Sequence, residues 1–403
     1  MMHREPGEVV GGVDTHLEVH VAAVIDHIGR ILATESFSAS PKGYQRLLAW
    51  MRSHGELCCV GVEGTGAYGA GLARHLAQNG VEVIEVNRPD RQRRRRRGKS
   101  DTTDAEAAAR AVLSGEAAVI PKTADGQVEG LRALRIARRS ARKARTQTAL
   151  QIRDLILTAP DGLRDQLQTL ETPDRAKRCA RFRCGDPTDP TQAIKRALRI
   201  LGRRYEHLSE ELAELDGVIA ELCAEINPAL MGAKGVGPEV AATLLVIAGD
   251  NPARLHSDAA LAALCGASPI EASSGRTVRH RLNRGGNREG NNALWRIALV
   301  RMATCPRTRA YVERRTAEGR TKKEIIRCLQ RYVAREIHTL LVKDHTIITG
   351  AELRAARNRN KQTLTEAATA MNTCPIAISR LERGITHNTD LATRYHDWLN
   401  AAA

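Results

Sequence analysis

The sequence predicts an α/β domain followed by a mostly helical remainder, an α/β plus all-α chain. Three observations carry this. Between Val9 and Ser114, short β-rich runs alternate with stretches of helical spacing. From about Val128 the apolar residues recur every three or four positions instead. Beyond Ala351 a run of short, capped segments reads as a separate small unit.

Val9 to Asp26 reads as a strand, a turn or bulge around His16, and a continuing strand, with Val19–Ile25 the β-rich part. Ile28-Gly29-Arg30 turns the chain, so that Ile31–Phe37 returns as an antiparallel strand. Tyr44, Leu47, Leu48 and Met51 give Pro41–His54 a helical spacing. Leu57–Val62 is a short apolar strand, Ala67–Asn79 a helix closed by Gly80, and Val81–Val86 a further strand. Asp101–Ser114 is an Ala-rich helix.

The first long helix, Val128–Ala159, carries Leu131, Leu134, Ala137, Ala141, Ala144, Thr148, Ile152, Leu155 and Ile156 in one stripe. The second, Ala193–Ile226, carries Leu198, Leu201, Tyr205, Leu208, Leu212, Leu215 and Ile219. Helices of this length predict an antiparallel pair or coiled coil, either an internal bundle or an arm for dimerisation or RNA. Between them Asp161–Thr191, with Pro160, Pro173, Pro187 and Pro190, reads as irregular. Gly-rich turns at Gly232, Gly235 and Gly237 open a third region, which runs through the basic loop Ser273–Arg288 to a helix at Lys322–Leu341. The expected domains are 1–127, 128–227, 228–345 and 351–403.

Lys and Arg total 62 against 46 acids, a net charge of +16. Such an excess predicts a polyanionic partner, because each phosphate neutralised releases condensed counterions. Only 11 residues are aromatic, so broad platforms for stacking single-stranded bases are not expected. No apolar run approaches about 18 residues, which excludes a membrane-spanning helix. The nine cysteines are an odd number at irregular positions, fitting reduced thiols in the cytoplasm. Cys179 and Cys184 lack a second pair at zinc spacing and read as structural. No Gly-x-x-x-x-Gly-Lys-Ser/Thr run exists, so an ATP-binding loop of that type is excluded.

Asp14 follows two glycines that allow close approach of another backbone or a phosphate. Glu63 ends the strand Leu57–Val62, and Asp101 and Asp104 lie three apart at a helix start, on one side. Four carboxylates from two strand ends and one helix suit Mg2+, a hard ion that takes oxygen ligands. Asp101 and Asp104 also suit a first helical turn with no ion present. Just upstream, Arg93, Arg94, Arg95, Arg96 and Arg97, then Lys99, put dense positive charge beside the acids, as a loop guiding a phosphate backbone would.

Gly-Val-Asp14-Thr-His, Val-Glu63-Gly-Thr-Gly and Lys99-Ser-Asp101-Thr-Thr-Asp104-Ala together resemble the DEDD-type transposases of insertion-sequence family one-hundred-and-ten. The resemblance follows the chain in order over nearly its whole length. It implies a RuvC-like (RNase-H-like) fold, and Mg2+, or Mn2+ in its place, held by the four acids. It also implies DNA partners at element ends and target, a structured guide (bridge) RNA, and a nucleoid-associated bacterial setting. A homodimer that becomes a tetramer on DNA follows from the paired cuts that recombination needs.

Gly235-Val-Gly237-Pro before an apolar helix resembles a helix-hairpin-helix turn, whose backbone N–H groups can hold phosphate. Downstream, Ser273 and Ser274 precede Gly275 among Arg276, Arg279, Arg281 and Arg284. By the residues alone, an ordinary loop serine is the simpler reading. The family resemblance instead places a DNA-attacking nucleophile on Ser274, with Ser273 its rival. His280 is as well read as a phosphate contact as a base.

The tail resembles a Cro/repressor-type helix-turn-helix domain. Thr363 and Glu366 have capping-box spacing, Thr373 is expected to cap the next helix, and Gly384 to end it. Pro375–Arg383 would be the recognition helix, presenting Ile376, Ala377, Ser379 and Arg380 to a major groove. A helical tail for protein contact is the alternative. The expected function is therefore an RNA-guided transposase or recombinase. Its rivals are a junction nuclease that only hydrolyses, and a DNA-binding regulator that would need none of Asp14, Glu63, Asp101, Asp104 or Ser274.

Overall fold

The computed structural model describes residues 5–86, 100–275, 280–281, 283–342, 350–383 and 389–401. Two compact units divide the chain. The first holds the residues up to Glu129 together with Ala248–His256, and the second holds Gly130–Ile247 and Ser257 onwards.

In the first unit, five strands form one sheet: β1 (Glu8–Thr15), β2 (Val19–Asp26), β3 (Ile31–Ser38), β4 (Glu56–Glu63) and β5 (Glu82–Val86). Their order is β3-β2-β1-β4-β5. β1, β2 and β3 run antiparallel in sequence, while β4 lies parallel to β1 and β5 parallel to β4. Central strands that are buried on both faces read as continuous apolar runs, and β1 and β2 do so. Alternation then divides their side chains. Val9 and Val13 pack with Leu47, Met51, Val60 and Leu72 under helices α1 (Pro41–Arg52) and α2 (Ala70–Gln78). Val10, Ile25, Cys59 and Ile84 pack with Ala108, Ala109 and Val112 of α3 (Asp101–Leu113) on the other face. α1 starts where expected, with the Ser40 hydroxyl accepting from the Gly43 N–H and Pro41 in the first turn.

Two glycines let α3 lie against the sheet. A methyl added at Gly12 would overlap the Ala105 carbonyl and the Ala109 amide, and would stand 2.8 Å from the Ala109 Cβ. One at Gly61 would meet the Val112 Cγ2 at 2.7 Å and the Ala108 carbonyl at 2.9 Å. The close approach allowed at Gly12 is thus taken by helix backbone. Residues 248–256 complete this unit: the Asp250 carboxylate accepts from the Val128 N–H at 2.8 Å, and Arg254 donates to the Ile120 carbonyl at 3.2 Å.

Among its described residues, the second unit is helical apart from one short hairpin. Its long helices are α4 (Gln127–Leu157, from Gly130 in this unit) and α7 (Pro190–Ile226). They pair antiparallel, since Ile152 and Ile156 meet Leu198 while Ala141 meets Leu208 and Leu212. Arg138 pairs with Asp216 further along, and the Arg145 guanidinium lies 5.8 Å over the Tyr205 ring. The segment between them is not irregular, as its prolines suggested. It forms α5 (Asp161–Leu167) and α6 (Thr172–Ala180), whose Leu163, Leu167, Ala176 and Cys179 are buried against the helix pair. Pro160 stands at the N-cap of α5 and Pro173 in the first turn of α6, positions where proline starts a helix. Pro190 likewise begins α7, three residues before the expected start.

α8 (Pro228–Gly232) and α9 (Pro238–Ala248) flank the Gly235 turn, where φ is +86°. After α10 (Asp258–Leu264) comes a hairpin of β6 (Ile270–Glu271) and β7 (His280–Arg281), then α11 (Arg288–Thr304), α12 (Pro306–Ala317) and α13 (Lys322–Val342). The described residues of the tail form four helices, α14 (Gly350–Arg359), α15 (Leu364–Ala370), α16 (Pro375–Glu382) and α17 (Thr389–Ala401). They close on a core of their own around Leu353, Ala367, Met371, Ile378, Leu381, Tyr395 and Leu399. Among the described residues, no helix is long and apolar enough to cross a membrane.

Candidate active site

β1 and β4 run parallel with Val13 opposite Val62, so Asp14 and Glu63 leave the same edge of the sheet on adjacent strands. The Thr15 hydroxyl donates to the Glu63 carbonyl at 2.8 Å and ties the two strand ends together. Immediately after Glu63 the chain turns at Gly64, where φ is +71°. α3 brings the other two acids. Ser100 caps it, with its hydroxyl accepting from the Thr103 N–H at 3.3 Å, and Asp101 and Asp104 sit in the first turn. The partial positive charge of a helix N-terminus favours carboxylates there.

One point collects two of these acids, Asp14 and Asp101, together with His16. His16 Nε2 lies 3.1 Å from an Asp14 carboxylate oxygen and 3.5 Å from one of Asp101. One ligand atom from each of Asp14, His16 and Asp101 falls within 4.8 Å of the others. Asp14 is buried and Asp101 is half exposed, so the group opens outward. Burial pushes the Asp14 carboxyl above its ordinary value, and the charges of Asp104 and Asp101 push the same way, while His16 opposes them. Asp104, itself buried, thus shares the field of the site. Glu63 stands on the neighbouring strand end.

His16 was not among the residues the sequence singled out. The signal was present: Asp14 and His16 are two apart at a strand end and share a face. The arrangement offers oxygen and imidazole donors around one opening, a mixed set that first-row divalent ions accept, while Mg2+ would take the carboxylate oxygens alone.

The arginine run Arg93–Arg97 and Lys99 lie outside the described residues, as do Arg276, Arg279 and Gly384. Ser273, Ser274 and Gly275 are exposed beyond β6, with Gly275 at φ +57°. The hairpin pairs Ile270 with Arg281 and Glu271 with His280, which places both serines towards its tip. Arg281 and Arg284 are exposed on its return arm.

In the tail, Thr363 and Glu366 form the predicted capping box: Glu366 N–H donates to the Thr363 hydroxyl at 3.1 Å and Thr363 N–H to the Glu366 carboxylate at 2.7 Å. Thr373 does not cap α16. Its N–H closes the preceding helix on the Ala368 carbonyl, after Asn372 turns left-handed at φ +53°, and Cys374 takes the cap position with no side-chain bond. Pro375 at the first helical position fixes the cap one residue later than expected. Ile376 and Arg380 are exposed on α16, with Ala377 and Ser379 half-buried beside them.

Two family profiles match this chain. One, described as a transposase of the DEDD type of IS110, covers residues 11–159, from within β1 through the acidic group and α4. Another, the transposase IS116/IS110/IS902 family, covers residues 227–313, from α8 through the serine hairpin into α12. A Streptomyces coelicolor protein, the uncharacterized 43.6 kDa protein of insertion element IS110, is 35% identical over 107 residues. That stretch is 26% of this chain and 26% of the relative, so the two align over about a quarter of either length. Residues 11–159 and 227–313 are thus similar to transposase domains of the IS110 family.

Proposed function

We propose that this protein is a DNA transposase or recombinase that cuts and rejoins strands at a metal-assisted site. The single observation that carries the reading is the convergence of Asp14, His16 and Asp101, in a chain with both transposase domains. The strand order, with acids at the ends of adjacent parallel strands and a helix start beside them, supports a RuvC-like nuclease unit. The donor set fits a divalent ion: Asp14, Glu63, Asp101 and Asp104 would hold Mg2+ or Mn2+, and His16 would orient or join them. When bound, such an ion supplies Lewis-acid stabilisation of charge on a phosphoryl oxygen.

Ser274 is the nucleophile in this reading. Its Oγ gives up a proton and forms a bond to phosphorus, and the leaving strand oxygen takes a proton as its P–O bond breaks. The serine–phosphate diester keeps the bond energy that hydrolysis would lose. Rejoining to a new strand is then nearly balanced, which suits a chain without an ATP-binding loop. Arg276, Arg279, Arg281 and Arg284 would offset the charge growing on phosphorus, and Arg93–Arg97 with Lys99 would guide the backbone. The domains assigned are 1–127 for the nuclease unit, 128–227 for the helical arm, 228–345 for the serine-bearing domain and 351–403 for a helix-turn-helix that reads DNA with Ser379 and Arg380. A guide RNA selects the target, and a dimer pairs into a tetramer on DNA. Ile136, Leu150, Leu157 and Ile200, exposed on α4 and α7, support that assembly.

The test is a nicked DNA substrate trapped under denaturing conditions. A protein–DNA adduct is expected from the parent and from Ser273→Ala, and none from Ser274→Ala. Strand cutting with no adduct would replace this reading with a hydrolytic junction nuclease.

A further inference from the structure

We propose that a cavity in the second unit receives one unstacked nucleotide of a nucleic-acid strand beside the serine hairpin. The inference rests on the proposed function only in taking nucleic acid as the partner. The cavity measures about 810 Å³ and lies among α11, α12, α13 and the root of the hairpin, where Ala267 and Pro269 lead into β6 and Arg281 ends β7. Its volume is that of a small-molecule site.

Two large aromatic side chains line it while remaining exposed, Trp295 at 40% and Tyr332 at 55%. In a chain this poor in aromatics, both rings face one opening. Tyr311 packs edge-on against Tyr332, with centroids 5.8 Å apart at 82°, and holds that ring in place. Aromatic faces in a wet, positive setting suit a nucleobase, because every base has a π-face and its phosphate needs a cation. The cations are present: Arg281, Lys323 and Arg327 line the cavity, against Glu324 as its one acid. Arg331 and Arg335 are fixed on the Asp258 carboxylate at 2.9 and 3.1 Å, which sets their guanidinium groups at the rim.

The wall also carries three side-chain amides, Asn283, Asn291 and Gln330, and the last two are held rather than floppy. The Gln330 amide donates to the Asn291 carbonyl at 3.1 Å, and the Asn291 amide donates to the Cys265 carbonyl at 3.0 Å. Amides of Asn and Gln match the edges of bases. A lipid or an apolar peptide would leave the cations without an anionic partner. The hairpin root sets the occupant: a strand whose phosphate reaches Ser273 and Ser274 would pass this opening, and a base turned out of its stack would fall into it.

The test is equilibrium binding of short oligothymidylate and oligouridylate strands to the full chain at fixed salt. Each is compared with an abasic strand of equal length and charge. The intact strand should bind about five- to a hundredfold more tightly than the abasic one, as expected for the stacking of one base. Trp295→Ala and Tyr332→Ala should remove most of that ratio, Trp295→Phe should keep it, and Lys323→Gln should weaken intact and abasic strands alike. The larger ratio, for DNA or for RNA, identifies the strand. The proposal is overturned if the parent binds both strands equally, if a Trp295→Ala chain that melts like the parent keeps the ratio, or if free thymidylate binds as tightly as the strand. No cutting is read here, so a chain that fails to form the serine adduct yet shows the ratio counts against the proposed function alone.

Discussion

Gly12→Ala should disable the acidic group without touching any of its side chains. The new methyl would stand 2.8 Å from the Ala109 Cβ and inside contact distance of the Ala105 carbonyl and the Ala109 amide. Carbon atoms rest at about 3.5–4.0 Å, so α3 must recede by roughly 1 Å. The obstacle is helix backbone, which cannot swing aside as a flexible side chain would. Overpacking of this kind costs about 1–3 kcal/mol, or roughly 3–12 °C in melting temperature for a unit of this size. The functional cost is larger in proportion. Asp101 and Asp104 ride on α3, and a displacement of about 1 Å at a reacting centre lowers rate by about a hundredfold. Cleavage of a nicked substrate and thermal unfolding of the full chain are the two readouts. Gly66→Ala is the matched control, since it sits in the turn after Glu63 with nothing within 4 Å of the added methyl. A Gly12→Ala chain that melts with the parent and cuts within about twofold of it would refute the claim that this glycine sets the helix-to-sheet distance.

Other outcomes are open to measurement. Asp101→Asn and Glu63→Gln should each abolish cutting while leaving DNA binding within a few fold, as read by adduct formation and by filter binding on the same preparations. Asp14 has its carboxyl raised in the fold, first by burial. The native state therefore holds more protons than the unfolded chain from the ordinary value of 3.8 upward, and stability falls as pH rises through that window. In metal-free buffer at neutral pH, Asp14→Asn should melt above the parent, and added Mg2+ should raise the parent and not the variant. In the tail, the buried Glu382 accepts from Arg357 at 2.7 and 3.0 Å and from the Tyr395 hydroxyl at 2.7 Å. Arg357→Ala strands that carboxylate and should cost the tail about 3–5 kcal/mol, followed by denaturant unfolding through Trp398 fluorescence, whereas Arg357→Met with Glu382→Leu should cost much less. Removing residues 351–403 should leave adduct formation intact and weaken DNA binding in a salt-dependent way.

What the sequence disclosed follows from the range over which its signals act. Periodicity and caps are local, so the five strands, the long helix pair and the Thr363–Glu366 capping box were all legible. Proline is local too, but its meaning depends on position. Pro160 and Pro173 looked like breakers until the apolar Leu163, Leu167 and Cys179 around them proved to be buried, which made both prolines helix starters. Thr373 shows the same limit at single-residue scale: its amide was already committed to closing the helix before it. His16 was passed over because it was read as part of a turn, and only the approach of Asp101 from a distant helix makes it a member of the site. The glycine pair Gly11-Gly12 pointed to close approach, yet nothing in its sequence said whether backbone or phosphate would fill the space.

A chain of net charge +16 that buries Asp14 and Asp104 at one sheet edge holds two opposed electrostatic features. The basic excess draws a polyanion, and a phosphate brought to this edge meets carboxylates that already repel one another. Hydrogen bonds cannot resolve this, since ionised carboxylates and phosphate oxygens are all acceptors. The half-exposed His16 between Asp14 and Asp101 supplies at most a single proton. A divalent cation removes the repulsion among the acids and between acids and phosphate in one step, and binding of ion and strand should then be cooperative. On the proposed function, stability given up at this edge in the free chain would be recovered when the ion and the phosphate bind together.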